Sequence, residues 1–200
     1  HVADVAGAVT AVGGNPVGGA DLGLRVTLPG GTGNAVSFGT DPSPTAENGY
    51  QPAFSFNANT LTSGANPGSG LTLFEARSGT GAQVFALQFH RTGGVAQVRT
   101  VIHTGATGAT TTNGAWVTVT DVAHTLQVDW LAGLATGANA GSLRLLQDGV
   151  VASTQGGNTA ALRIETVMLG VTAGVSSAPS SSMAGTAYFD SFVSTRFTLP

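Results

Sequence analysis

Four histidines, ten carboxylates and seven arginines carry nearly all the ionisable chemistry of this 200-residue chain. His1, His90, His103 and His124 show neither H-x-H nor H-E-x-x-H spacing, which argues against a transition-metal site. Hydrolysis of a glycosidic bond needs two carboxylates about 5–10 Å apart. Glu47, Glu75 and Glu165 are widely separated, and no expected strand carries two carboxylates at alternate positions. Elimination chemistry needs a cation beside a histidine or tyrosine base. Arg99 with His90 or His103 is the one suggestion of such a pair; the plainer alternative makes all three solvent-facing sheet residues. The chain has no Cys, so disulfides and thiolate metal sites are excluded. All seven cations are Arg, and the absence of Lys rules out Schiff-base chemistry and lysine isopeptide cross-links.

These residues must be positioned by β-structure. Thirty glycines weaken helices throughout, and the abundant Val and Thr suit pleated strands. Strand-like runs recur over 22–28, 35–38, 53–57, 71–77, 83–91, 95–103, 116–120, 125–131, 143–147, 150–154, 164–171 and 186–195. Turn residues separate them, among them Pro29-Gly30-Gly31, Asn66-Pro67-Gly68, Gly93-Gly94, Asn113-Gly114 and Asp148-Gly149. Many short strands at this spacing predict an antiparallel sandwich or jelly roll rather than βαβ units.

One hairpin can be resolved face by face. If Gly93-Gly94 is a two-residue loop, Thr92 lies opposite Val95, His90 opposite Gln97, Gln88 opposite Arg99 and Val84 opposite His103. Phe85, Leu87, Phe89, Val98 and Ile102 then share the other face, which must be the core face. Burying each such side chain stabilises by about 1.5–3 kcal/mol. The polar face of Gln88, His90, Gln97, Arg99 and His103 is the candidate ligand surface, with Trp116 as a stacking platform or, alternatively, a core or rim residue. Asp129 is expected to be a structural hydrogen-bond acceptor.

The pattern HTLQVDWLAG, GANAGSLRLLQDGVVAS, RIETVMLGVTAG and GTAYFDSFVSTR in the last third resembles the concanavalin A-like (laminin-G-like) jelly-roll domains of bacterial cell-surface and secreted proteins. With 50–59, 83–91 and 97–103 the resemblance spans roughly residues 21–197, and its motifs are specific to fold rather than activity. It implies all-β architecture with one concave and one convex antiparallel sheet, and ligands on the concave face or rim. It also implies a Ca²⁺ ligand near the end of the last strand, where Asp190 stands; Asp21 or Glu47 could complete an oxygen-rich site, and the alternative has Asp190 capping a loop or pairing with Arg196 or Arg77. Against sugar recognition stand only two Trp and two Tyr, and a loop, Asn139-Ala140-Gly141, with no acidic residue.

Residues 1–20 read as an extended arm or first strand with a Gly-rich hinge, and 21–200 as a single jelly-roll domain. The start at His1 rather than Met suggests a processed or trimmed beginning. The arm residues Val2, Val5, Val9 and Val12 can pair with their own sheet or with a neighbour's edge by strand addition. A charged fraction of 8% defends such edges poorly. The leading expectation is therefore a non-catalytic structural or adhesive protein, extracellular or at a cell surface, self-assembling into a fibre or coat. The alternative is a carbohydrate-binding module using the polar concave face; the third is a polysaccharide hydrolase or lyase. Expected partners are copies of the chain itself or surface glycans. A net charge of −3 with no basic cluster excludes nucleic acid, and no apolar run reaches the ~18–20 residues that membrane insertion requires. No cofactor is required, and Ca²⁺ is the single candidate.

Overall fold

The computed structural model describes residues 9–12, 17, 23–28, 36–42, 44–63, 70–134, 140–174 and 183–196. Within these residues every regular element is a strand. One sheet runs β1(Val9–Val12), β2(Gly23–Leu28), β15(Met183–Arg196), β4(Gly49–Asn57), β11(His124–Leu131), β12(Gly141–Gln147), β13(Val150–Gly157), with β5(Thr62–Ser63) on β15. The second runs β10(Val117–Val119), β8(Val95–Thr104), β7(Gln83–Thr92), β6(Leu71–Arg77), β14(Thr166–Ala173), β3(Val36–Asp41), with β9(Thr110–Asn113) on β8. All pairings given are antiparallel, and the expected all-β sandwich is borne out.

The strands form where apolar residues alternate. In β4, Tyr50, Phe54 and Phe56 are buried while Gln51, Ala53 and Ser55 are not fully so. The period of two puts one set against the opposite sheet. There Phe54 of β4 meets Phe74 of β6 at 6.2 Å between ring centres, and Phe56 meets Phe89 of β7 at 6.0 Å. These contacts join the two sheets, and Trp130 lies fully buried in the same core.

The β7–β8 hairpin has the predicted register, with Thr92 opposite Val95, His90 opposite Gln97 and Gln88 opposite Arg99. Gly93 and Gly94 both have positive φ, 57° and 83°, the geometry a tight two-residue hairpin turn requires. Phe85, Leu87, Phe89, Val98 and Ile102 are all fully buried, so the second sheet turns its polar set away from the core.

Val9 to Val12 pair with Val26 to Gly23 of the same chain, so this part of the arm extends its own sheet. Val2, Val5 and the candidate calcium residue Asp21 lie outside the described residues.

Candidate functional site

The outward face of the second sheet gathers the polar side chains. Its centre is two adjacent cross-strand pairs, about 7 Å apart along the strands. In one, Arg99 donates from Nε to Gln88 Oε1 at 2.9 Å. In the other, His90 Nε2 and Gln97 Oε1 are 2.8 Å apart. An amide oxygen only accepts, so Nε2 is the ring nitrogen that donates to Gln97. The ring's Nδ1 is buried and has no hydrogen-bond partner. His90 is 5% exposed, and burial lowers the pKa of Arg99 from the ordinary guanidinium range.

Trp116 covers both pairs. Its ring stacks on His90 with centroids 3.6 Å apart and planes 14° off parallel, and the Arg99 guanidinium carbon lies 4.3 Å from its centre. A local irregularity places the indole there. Asn113 pairs with Val101 and Val117 with Val98, so three residues, Gly114 to Trp116, oppose two, Arg99 and Thr100. The extra residue re-aims the side chain, as β-bulges do. Gly114 is fixed by its N–H to the Thr100 carbonyl at 2.8 Å. From the opposite sheet, Gln155 accepts from the Thr100 hydroxyl at 2.5 Å and donates to the Thr112 carbonyl at 2.7 Å.

Further along the face, Glu75 of β6 lies opposite Ala86 and Met168. Its Oε2 accepts from Arg77 Nη2 at 2.9 Å and Gln83 Nε2 at 2.7 Å, so this buried carboxylate is paired and hydrogen-bonded. Beyond it opens a depression of about 610 Å³ that includes Arg77, Glu165, Thr166 and Met168 in its lining. Glu75 and Arg77 were not among the sequence candidates for this surface. The signal was their i, i+2 spacing in one strand, which puts both on one face.

The structure thus brings together Gln88, His90, Gln97, Arg99 and Trp116. His103 stands apart: it is four residues from Arg99 along β8, about 13 Å by strand rise, and its Nδ1 donates to the Gly108 carbonyl at 2.9 Å. The calcium residues within the description are not joined either. Asp190 pairs in register with Ser55 and accepts from the Ser191 N–H at 2.6 Å. Glu47 bridges Ile164 and lies eight residues from Ser55, about 26 Å along an extended chain. Among the described residues, no group of three or more His, Asp or Glu is placed to hold a metal. Asp129 accepts from Gln51, Gln127 and Arg144 on the other sheet, in the structural role expected of it.

No protein-family model matches the chain, and no curated protein matches it. Solved structures do. The alginate lyase Aly36B superposes with a TM-score of 0.59 at 12% identity, over 89% of this chain and 82% of that one. The marine PL-14 alginate lyase from Aplysia kurodai gives 0.57 at 13% identity, over 94% and 87%. An alginate lyase from Pseudomonas aeruginosa gives 0.56 at 13%, over 88% and 83%. At such identities the likeness establishes the shared jelly-roll fold. It also corrects the leading functional expectation: a non-catalytic structural or adhesive subunit gives way, because these three similar structures are alginate lyases. The fibre, adhesion and non-enzyme expectations fall with it, and the option ranked third is the one carried forward.

Proposed function

We propose that this chain is a polysaccharide lyase that cleaves an acidic, uronate-containing glycan by elimination on the outward face of its second sheet. The observation that carries this is the side-by-side placement of His90, whose buried Nδ1 has no hydrogen-bond partner, and Arg99, held by Gln88.

Elimination removes the proton on the carbon next to a uronate carboxylate, and that carbon is acidic only if the carboxylate's charge is neutralised. Arg99, with the Gln88 amide beside it, supplies that neutralisation in a largely dry setting, where such charge stabilisation is strongest. His90 Nδ1 takes the proton. The C–H electrons form the new C=C bond as the glycosidic C–O bond on the next carbon breaks. The leaving oxygen then takes a proton from the imidazolium. The chain has no Lys, and Tyr50 and Tyr188 both belong to the first sheet, so His90 is assigned both proton steps. Its tautomer is held by Gln97. An acidic polysaccharide of this kind is an extracellular polymer, and an extracellular location follows from the proposal.

The test is incubation with a panel of polyuronates, following the ultraviolet absorbance of the unsaturated sugar end. Activity in the native protein and its loss in His90→Gln support the proposal. New reducing ends without the absorbance, or no turnover of any polyuronate, overturn it.

A further inference from the structure

The base assigned above is sealed. The indole of Trp116 lies flat on the face of the imidazole at 3.6 Å, the ring's Nδ1 is buried without a hydrogen-bond partner, and the same indole covers the Arg99 guanidinium at 4.3 Å. Its far edge reaches β6: a methyl group on Gly70 would lie 3.1 Å from Cη2 of Trp116. The ring therefore reaches from β8 over β7 to the start of β6, covering the surface that a sugar ring must meet to touch His90 and Arg99 together.

We propose that Trp116 holds the place of one sugar ring, capping His90 and Arg99 at rest, and that a uronate ring enters by displacing it. The exchange rests on the reading of this face as an acidic-glycan site; the cap itself does not.

The backbone decides how the exchange occurs. Gly114 is bonded to Thr100 and Val117 is paired with Val98, so the chain is pinned on both sides of Trp116. Opening is a side-chain rotation, not the release of a loop. Trp116 is half-buried with solvent beyond it, since Ala115 and Thr118 are exposed. The displaced indole stays beside the site and offers its face to the incoming ring, so what stacked on imidazole and guanidinium then stacks on sugar. An anionic sugar is favoured in the exchange because its carboxylate replaces the ring's hold on Arg99 with a charge-assisted hydrogen bond.

Two measurements test this. In the first, each histidine is modified with diethyl pyrocarbonate and its rate mapped by mass spectrometry. Removing the ring in Trp116→Ala should speed modification of His90 about tenfold, the factor its lost stacking contacts imply. His103 and His124 should keep their rates, and Trp116→Phe, which retains a stacking ring, should fall between. In the second, tryptophan emission is followed as a uronic-acid tetrasaccharide is added. Trp130 is fully buried, so the response should come from Trp116 and vanish in Trp116→Phe. Equal His90 rates in native protein and Trp116→Ala overturn the cap. Unchanged emission in a protein that turns the polyuronate over overturns the exchange. Loss of both turnover and emission response overturns the glycan reading and the exchange with it, while a protected His90 still upholds the cap.

Discussion

Arg99 and Trp116 meet across the three-against-two irregularity of β8 and the β9–β10 segment, with the guanidinium carbon 4.3 Å from the centre of the indole. The same guanidinium donates from Nε to Gln88. One planar group thus makes an in-plane hydrogen bond and a face-on aromatic contact together, which the tetrahedral ammonium of a lysine cannot reproduce.

Arg99→Lys should therefore behave as a loss rather than a conservative change. We expect kcat/KM on a responsive polyuronate to fall about 100- to 1,000-fold, the usual effect of removing one preorganised charge-stabilising donor. The unsaturated-product assay measures it, and a variant within a few-fold of native would show that the guanidinium's geometry is irrelevant.

Acid should weaken a different contact. Asp148 is held below the usual carboxylate range, chiefly by the hydrogen bond from His124 Nδ1 at 2.7 Å and further by the Thr125 N–H at 2.9 Å. A carboxylate whose pKa is lower folded than unfolded adds stability above its unfolded pKa, and that stability is lost as pH falls through the folded value. Asp148→Asn keeps a residue tolerant of the left-handed φ of 52° found here. The variant should melt lower at neutral pH, by no more than about 4 °C, since exposed pairs contribute at most about 1 kcal/mol. The difference should close as pH drops through the acidic range. A gap that widens in acid would reverse the assignment.

Thr100 and Gln155 join the two sheets beneath Trp116. Thr100→Val keeps the shape but leaves the buried Gln155 oxygen without its donor, at a cost of about 1–3 kcal/mol. A lowered urea midpoint with unchanged slope would register it. A neutral substitution would show that Gln155 finds another donor.

The β7–β8 register, and with it the pairs Gln88–Arg99 and His90–Gln97, was legible because every determinant is local: a Gly-Gly turn and a period of two with large apolar residues on one side. β9 was not, since Thr110-Thr111-Thr112-Asn113 is exposed at every position and has no apolar alternation to reveal it. β5 is two residues long and carries no periodic signal at all. The place of Trp116 over His90 was not legible, because it depends on one extra residue opposite β8. Glu75 was weighed only as a hydrolytic carboxylate. Its enclosure by Arg77 and Gln83 depends on how β6 meets β7, including a register shift beside Arg77. The order of functions was not legible either, because the placement of Glu75, Arg77 and Arg99 on one outward face depends on how β6, β7 and β8 pair.

Gln88, His90, Gln97, Arg99 and Trp116 all fall within one hairpin and the short segment that follows it. The proposed working surface is thus nearly a single uninterrupted piece of chain on a shared sandwich. Exchanging residues 83–119 between jelly rolls of this shape would carry all five side chains together, and the host would have to supply the partners that Phe89 and Thr100 find in Phe56 and Gln155.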